Sequence, residues 1–380
     1  AFSARFQLGM LNSHRRMYSE DKVTPMKYRS RKQWFAGPTA VFLMSLSLTV
    51  SAAGNRAFIP MGMADSVGVM DLENNRLTST IAGTVNTHGS ALTPDGRFLI
   101  VGSLTAHDSK KMPARPAGVS ADDHAAHHGG GSSAAPDAST GRIFVVNTNT
   151  NVVDRVLEVP GPVHHVLVTT DGRYAVSTHP MGGGISVLDL VSGEVVEVIA
   201  TGPSPNYVTT ANNGKTLFVS NTGNGTVSEI DTRNWFVKRN MRIGGGPEHM
   251  VLSADGDHLY VNDAASGEVA ALKLADGTVT ARYKIGDAPH GLDLSADGEF
   301  LFATSRGDER IVRLGLNNNS RTSAQLAPAP YHLAVSPVNG SLLVTSRGEP
   351  KLWILDPESL TILKEVTLEG VGHQISIDGQ

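Results

Sequence analysis

Apolar and polar positions alternate with a period of two in three short runs between residues 206 and 232. Tyr207 to Thr210, Leu217 to Asn221 and Val227 to Asp231 are rich in β-branched and aromatic residues, and Asn213-Gly214 and Gly223-Asn224-Gly225 separate them. Alternation bounded by such turn residues predicts strands joined by tight hairpins. Trp235 to Ile243 supplies a fourth strand. A lone sheet of about forty residues cannot bury both of its faces, so it needs copies of itself beside it.

The copies are in the chain. Counting seven residues back from each Asp-Gly or Asn-Gly turn gives His88, His164, Asn206, Glu248, His290 and His332, and His373 opens a last, partial copy. The step is 42 residues from 164 through 332, then 41. Between 88 and 164 it is 76, one repeat plus an insertion of 34. Four strands at this period predict an all-β fold, a β-propeller. The N-terminal end carries strands two to four of a blade (Ala57 to Pro60, Val67 to Leu72, Leu77 to Ala82), and His373 to Asp378 is a first strand alone. Joined, the two ends complete one blade. The expectation is a seven-bladed ring closed by strand exchange, which leaves no unpaired inner edge and favours a monomer.

Ahead of the repeats, residues 1–25 are polar and aperiodic and read as an upstream extension. Residues 26–53 read as a signal peptide. Lys27, Arg29, Arg31 and Lys32 form a positive n-region, Ala40 to Val50 an apolar stretch, and Ser51-Ala52-Ala53 a small-residue cleavage site. The apolar stretch is shorter than the ~20 residues a bilayer span needs, so export to the periplasm is expected, with no membrane anchor left after cleavage. The propeller then occupies 54–380. The chain has no cysteine, which excludes a disulfide framework and covalent haem attachment through Cys-x-x-Cys-His. Its net charge of −4 and the lack of a basic stripe past residue 53 argue against nucleic acid as a partner.

Candidate chemistry lies in the histidines. The insertion, 106–140, is rich in Pro, Gly, Ser and Ala and holds Asp122, Asp123, His124, His127 and His128 within seven residues. Such a tract reads as a flexible metal-capturing loop. The register histidines fall at the blade crossings, where the innermost strand begins, and so face the mouth of the central channel. His290, His332, His373, His88 and His164 come from five consecutive blades, and Glu248 adds a carboxylate. His179, in a loop on the same face, joins the candidates, whereas His165 and His249 are expected to point elsewhere or only to graze the mouth. Three or four of these nitrogen and oxygen donors would hold zinc, with copper second, since the softer thiolates are absent. The alternative is that each histidine is structural and hydrogen-bonds a neighbouring loop.

Leu217-Phe-Val-Ser-Asn221-Thr-Gly-Asn-Gly-Thr-Val-Ser-Glu-Ile-Asp-Thr232 resembles the Tyr-Val-Thr-Asn repeat of the forty-residue propeller family, with weaker copies at Leu259 to Asn262 and Phe302 to Ser305. The resemblance covers 55–380 and speaks to fold. An exported propeller with a His-rich loop and a central histidine site also resembles the periplasmic zinc metallochaperones. That resemblance implies that His124, His127 and His128 gather metal, the ring histidines hold it, and a solute-binding protein of a metal transporter receives it. Two other readings stand beside metal delivery. One is a non-catalytic scaffold of the cell envelope. The other is an enzyme, either a lactonase-like hydrolase or an oxidoreductase using haem d1 or copper. No Gly-x-Ser-x-Gly elbow or phosphate-cradling loop supports the enzyme directly.

Overall fold

The structure, a computed structural model, describes residues 55–106, 140–211 and 213–378. These residues form seven four-stranded antiparallel sheets. Blade 4 shows how the pattern becomes structure: its strands run Pro205–Ala211, Thr216–Asn221, Thr226–Asp231 and Phe236–Arg242. The second strand is buried along its whole length because neighbouring blades cover both faces. Outermost strands such as Thr278–Lys284 alternate instead, one face packed and one in water. The apolar side chains gather in separate clusters between blades. Phe58, Val67, Leu99 and Phe144 fill the seam between blades 1 and 2, and Ile59, Leu72, Leu343 and Ile354 the seam between blades 7 and 1. Each blade therefore depends on both neighbours for its core, as the repeat length required.

Blade 1 is the composite. Ser376 and Ile377 pair with Phe58 and Ala57, so the C-terminal strand lies innermost against the three N-terminal ones. Arg56 ties the closure, bonding Asp378 at 2.9 Å and donating to the Thr148 carbonyl of blade 2 at 2.6 Å. The turns after the innermost strands carry glycine where the backbone is left-handed, for example Gly214 at φ 81° and Gly256 at 75°. They mark one face of the ring. The blade crossings and the second-to-third-strand loops mark the other. The insertion leaves from that second face, between Phe98–Ser103 and Thr140–Asn147. His124, His127 and His128 lie outside the described residues, as do the segments read as extension and signal peptide. Among the described residues, no helix is long and apolar enough to cross a membrane.

Candidate metal centre on the propeller axis

The innermost strands begin with a shared irregularity. In blade 4 Pro205 pairs with Asn221 and Val208 with Val219, leaving Asn206 and Tyr207 opposite Ser220 alone. The same two-against-one bulge places Glu248 and His249 in blade 5, His290 and Gly291 in blade 6, and Tyr331 and His332 in blade 7. Blade 2 repeats it with His88 and Gly89. In blade 3 His164 and His165 both bond the backbone of Thr178. A bulge re-aims side chains and terminates regular alternation, so both residues of a pair turn toward the axis.

Hydroxyls on the second strands lock these bulges and link the blades. Thr304 Oγ1 accepts the Gly291 amide at 2.8 Å and donates to the Tyr331 carbonyl of the next blade at 2.6 Å. Thr345 does the same between the His332 amide and the His373 carbonyl, and Thr178 between the His165 amide and the Asn206 carbonyl. Where a blade has glycine in the second bulge position, the neighbour's backbone is the reason. A Cβ on Gly89 or Gly291 would lie 2.6 or 2.4 Å from the carbonyl oxygen of His164 or Tyr331.

The result is seven histidines packed on the axis: His88, His164, His165, His249, His290, His332 and His373, none more than 5% exposed. They lie within the channel, deeper than the open mouth expected from the sequence. Three overlapping triads have ligand atoms within 4.8 Å of one another: His88, His165 and His373; His165, His249 and His332; His290, His332 and His373. The middle triad takes the second bulge position of blades 3, 5 and 7 and so surrounds the axis.

His249 Nδ1–H donates to the His290 carbonyl at 2.7 Å, because a carbonyl can only accept, and this leaves its Nε2 lone pair for the axis. His165 Nδ1 lies 3.0 Å from the Asn206 carbonyl and 2.8 Å from His164 Nδ1, which is itself 3.2 Å from the same carbonyl. The Nε2 atoms of His165 and His249 face each other 3.1 Å apart. Two nitrogens on one tetrahedral zinc, each at about 2.0–2.1 Å, would be about 3.3 Å apart. His88 Nε2, His332 Nε2 and both ring nitrogens of His373 are buried without a hydrogen-bond partner among the described residues. Burial first, and then neighbouring imidazoles, hold His88, His165, His332 and His373 well below the usual histidine range, so they stay neutral and ready to ligate.

The structure thus brings His88, His164, His290, His332, His373 and Glu248 together, and it changes three expectations. His165 and His249 belong to the centre, because the bulge cancels the alternation that would turn them away. Glu248 accepts from His290 Nδ1 at 3.0 Å, the position of a carboxylate that orients a ligand histidine. His179 stands apart in blade 3: its Nδ1–H donates to the Pro162 carbonyl at 3.0 Å and its Nε2 accepts from Ser186 Oγ at 2.8 Å. That makes it a satisfied structural histidine. Sequence reading also missed Tyr331, whose ring stacks on His290 with centroids 3.6 Å apart.

A profile described as Lactonase, 7-bladed beta-propeller matches residues 137–347, more than half of the chain. The protein belongs to this seven-bladed lactonase-type propeller family. No curated protein matches it. Among solved structures, the fold is similar to the periplasmic gluconolactonase of Pseudomonas aeruginosa, with a TM-score of 0.63 at 17% identity, covering 85% of this chain and 98% of that one. A putative 6-phosphogluconolactonase from Bacteroides fragilis gives 0.66 at 15%, covering 87% and 99%. The dihydro-heme d1 dehydrogenase NirN gives 0.59 at 14%, covering 82% and 63%. At these identities the likeness is one of fold.

Proposed function

We propose that the protein is an exported metal-binding propeller whose axial imidazoles hold one divalent transition-metal ion, zinc in preference to copper. The observation that carries this reading is the inward pair of His165 and His249 Nε2 atoms, 3.1 Å apart, with His332 completing a triad. Three histidines leave a fourth tetrahedral position open. Neutral, preorganised, buried imidazoles suit zinc, and the chain offers no thiolate to favour copper(I). Export rests on the signal-like segment and on the periplasmic gluconolactonase among the similar folds.

Two uses of the ion follow. The family and the gluconolactonase-like folds favour hydrolysis of a lactone, for which an open position on zinc would polarise a carbonyl or activate water. Delivery of the metal to a solute-binding protein is the other use, and it draws on the His-rich insertion alone. Haem d1 draws no support from the centre, since imidazole centroids 4.4 to 5.7 Å apart across the axial triad leave no slot for a macrocycle.

The test is metal content and zinc affinity of the purified protein, untagged, beside a His165→Ala, His249→Ala double variant and a His179→Ala variant. Near-stoichiometric zinc is expected in the wild type and in His179→Ala and a loss of at least tenfold in affinity in the double variant. No tight metal in the wild type would sink the reading. Lactone hydrolysis that appears with zinc and disappears with a chelator selects the enzyme; tight zinc without turnover selects delivery.

A further inference from the structure

The axial channel has a second end. Below the imidazoles, on the face of the Asx-Gly turns, lies a cavity of about 650 Å3 lined by the innermost strands of all seven blades. Its wall is more apolar than polar, with Leu167, Met250, Leu333 and Ile375 among the lining residues, and Asp293 is the only acidic lining residue among the described residues. Each Asp293 carboxylate oxygen accepts one backbone N–H, Oδ1 from Leu294 and Oδ2 from Val335, both at 2.8 Å. A carboxylate oxygen has two lone pairs, so each retains capacity for a cation. Tyr207 also lines the cavity, and its ring contacts His165 and His249 with centroids 4.9 and 4.6 Å apart. Tyr207 therefore touches both the cavity and the axial triad.

The opposite end is closed by an aromatic ring and charged groups of both signs. There Tyr331 covers His290, and the guanidinium carbons of Arg306 and Arg347 sit 5.9 and 5.3 Å from the Tyr331 ring centre. Glu248 accepts from the same His290 at 3.0 Å, so the two guanidinium groups share that end with a carboxylate. A cation arriving through the cavity meets the Asp293 carboxylate in an otherwise uncharged wall.

Building on the metal-binding reading, we propose that divalent metal ions reach the axial histidines through the cavity on the Asx-Gly face, with Asp293 as the first ligand on the way and Tyr207 as the gate to His165 and His249. The doorway is then on the face opposite the one carrying the ends of Phe98–Ser103 and Thr140–Asn147 that flank the insertion. Asp293 acts on the rate of entry and the histidines on the equilibrium, so the two roles separate experimentally. A focused carboxylate in a low-dielectric funnel raises cation on-rates by about 10- to 1,000-fold at low salt.

The experiment is stopped-flow uptake of zinc ion from a chromophoric chelator by the metal-free protein at low ionic strength. It compares wild type, Asp293→Asn, and Ala91→Phe, which adds bulk to the cavity wall at the level of Asp293 in blade 2. Uptake at least tenfold slower in both variants, with wild-type zinc content after long incubation, is the expected result. Wild-type rates in both variants, in a protein that does bind zinc, would overturn the route and leave the axial site standing. A wild type that takes up no zinc removes the site and the route together.

Discussion

His179 shows how one imidazole in this chain can differ in kind from the seven on the axis. Both of its nitrogens are bonded inside the seam between blades 2 and 3, and burial pushes its pKa down to about 4. Because its ordinary value is near 6.5, the unfolded chain binds this proton between pH 6.5 and 4 while the folded chain does not. Stability from this residue is therefore complete above pH 6.5 and falls as pH drops toward 4. The loss is about 1.4 kcal/mol per pH unit across that window, or roughly 3 kcal/mol in all. His179→Gln keeps a donor for the Pro162 carbonyl and cannot gain the proton. Urea unfolding at pH 7 and pH 5 should show a shallower acid loss in the variant than in the wild type. Parallel losses would mean that the imidazole titrates normally in the folded state.

At the scale of the strand, the bulge at the start of each innermost strand builds both the seam and the site. Thr304 Oγ1 is the clearest joint, since one hydroxyl satisfies the Gly291 amide and the Tyr331 carbonyl across two blades. Thr304→Val keeps the shape and strands both groups, at a cost of about 1–3 kcal/mol. A lowered urea midpoint with an unchanged slope is the expected reading, and a midpoint equal to wild type would show that water replaces the hydroxyl. The bulge also explains what the sequence could and could not tell. Turn glycines and the 42-residue register give the strands, the blade count and the composite blade, because these rest on period-two alternation and fixed turn chemistry. That register also reaches His88, His164, His290 and His373. Alternation then assigns His165 and His249 to the wrong side, because an inserted residue leaves no mark in the hydrophobic pattern. In blade 7 the turn glycine, Gly340, bonds Ser336 four residues back, whereas Gly96 in blade 2 bonds Thr93 three back. His332 consequently takes the second bulge position, the one held by His165 and His249, and Tyr331 takes the first.

At the scale of the ring, the axial triad joins blades that share no seam. His165, His249 and His332 come from blades 3, 5 and 7, each separated from the next by at least one whole blade. Every hydrophobic cluster, in contrast, spans two adjacent blades, so the core alone passes stability around the ring one seam at a time. An ion on the triad, as proposed, would add a tie across the middle, and it would bind the closed ring but not an open one. Linkage then makes metal affinity a term in global stability, about 2.7 kcal/mol at a free zinc concentration a hundred times the Kd. The thermal transition of the metal-free protein should move up as a whole on adding zinc. Amide exchange should slow in blades 3, 5 and 7 together, with no preference for a single seam. The His165→Ala, His249→Ala pair should abolish both effects. A zinc-dependent shift that survives in the double variant would place the stabilising ion elsewhere. Slowed exchange confined to one blade would mean that the ion stiffens a local turn and leaves the ring as it was.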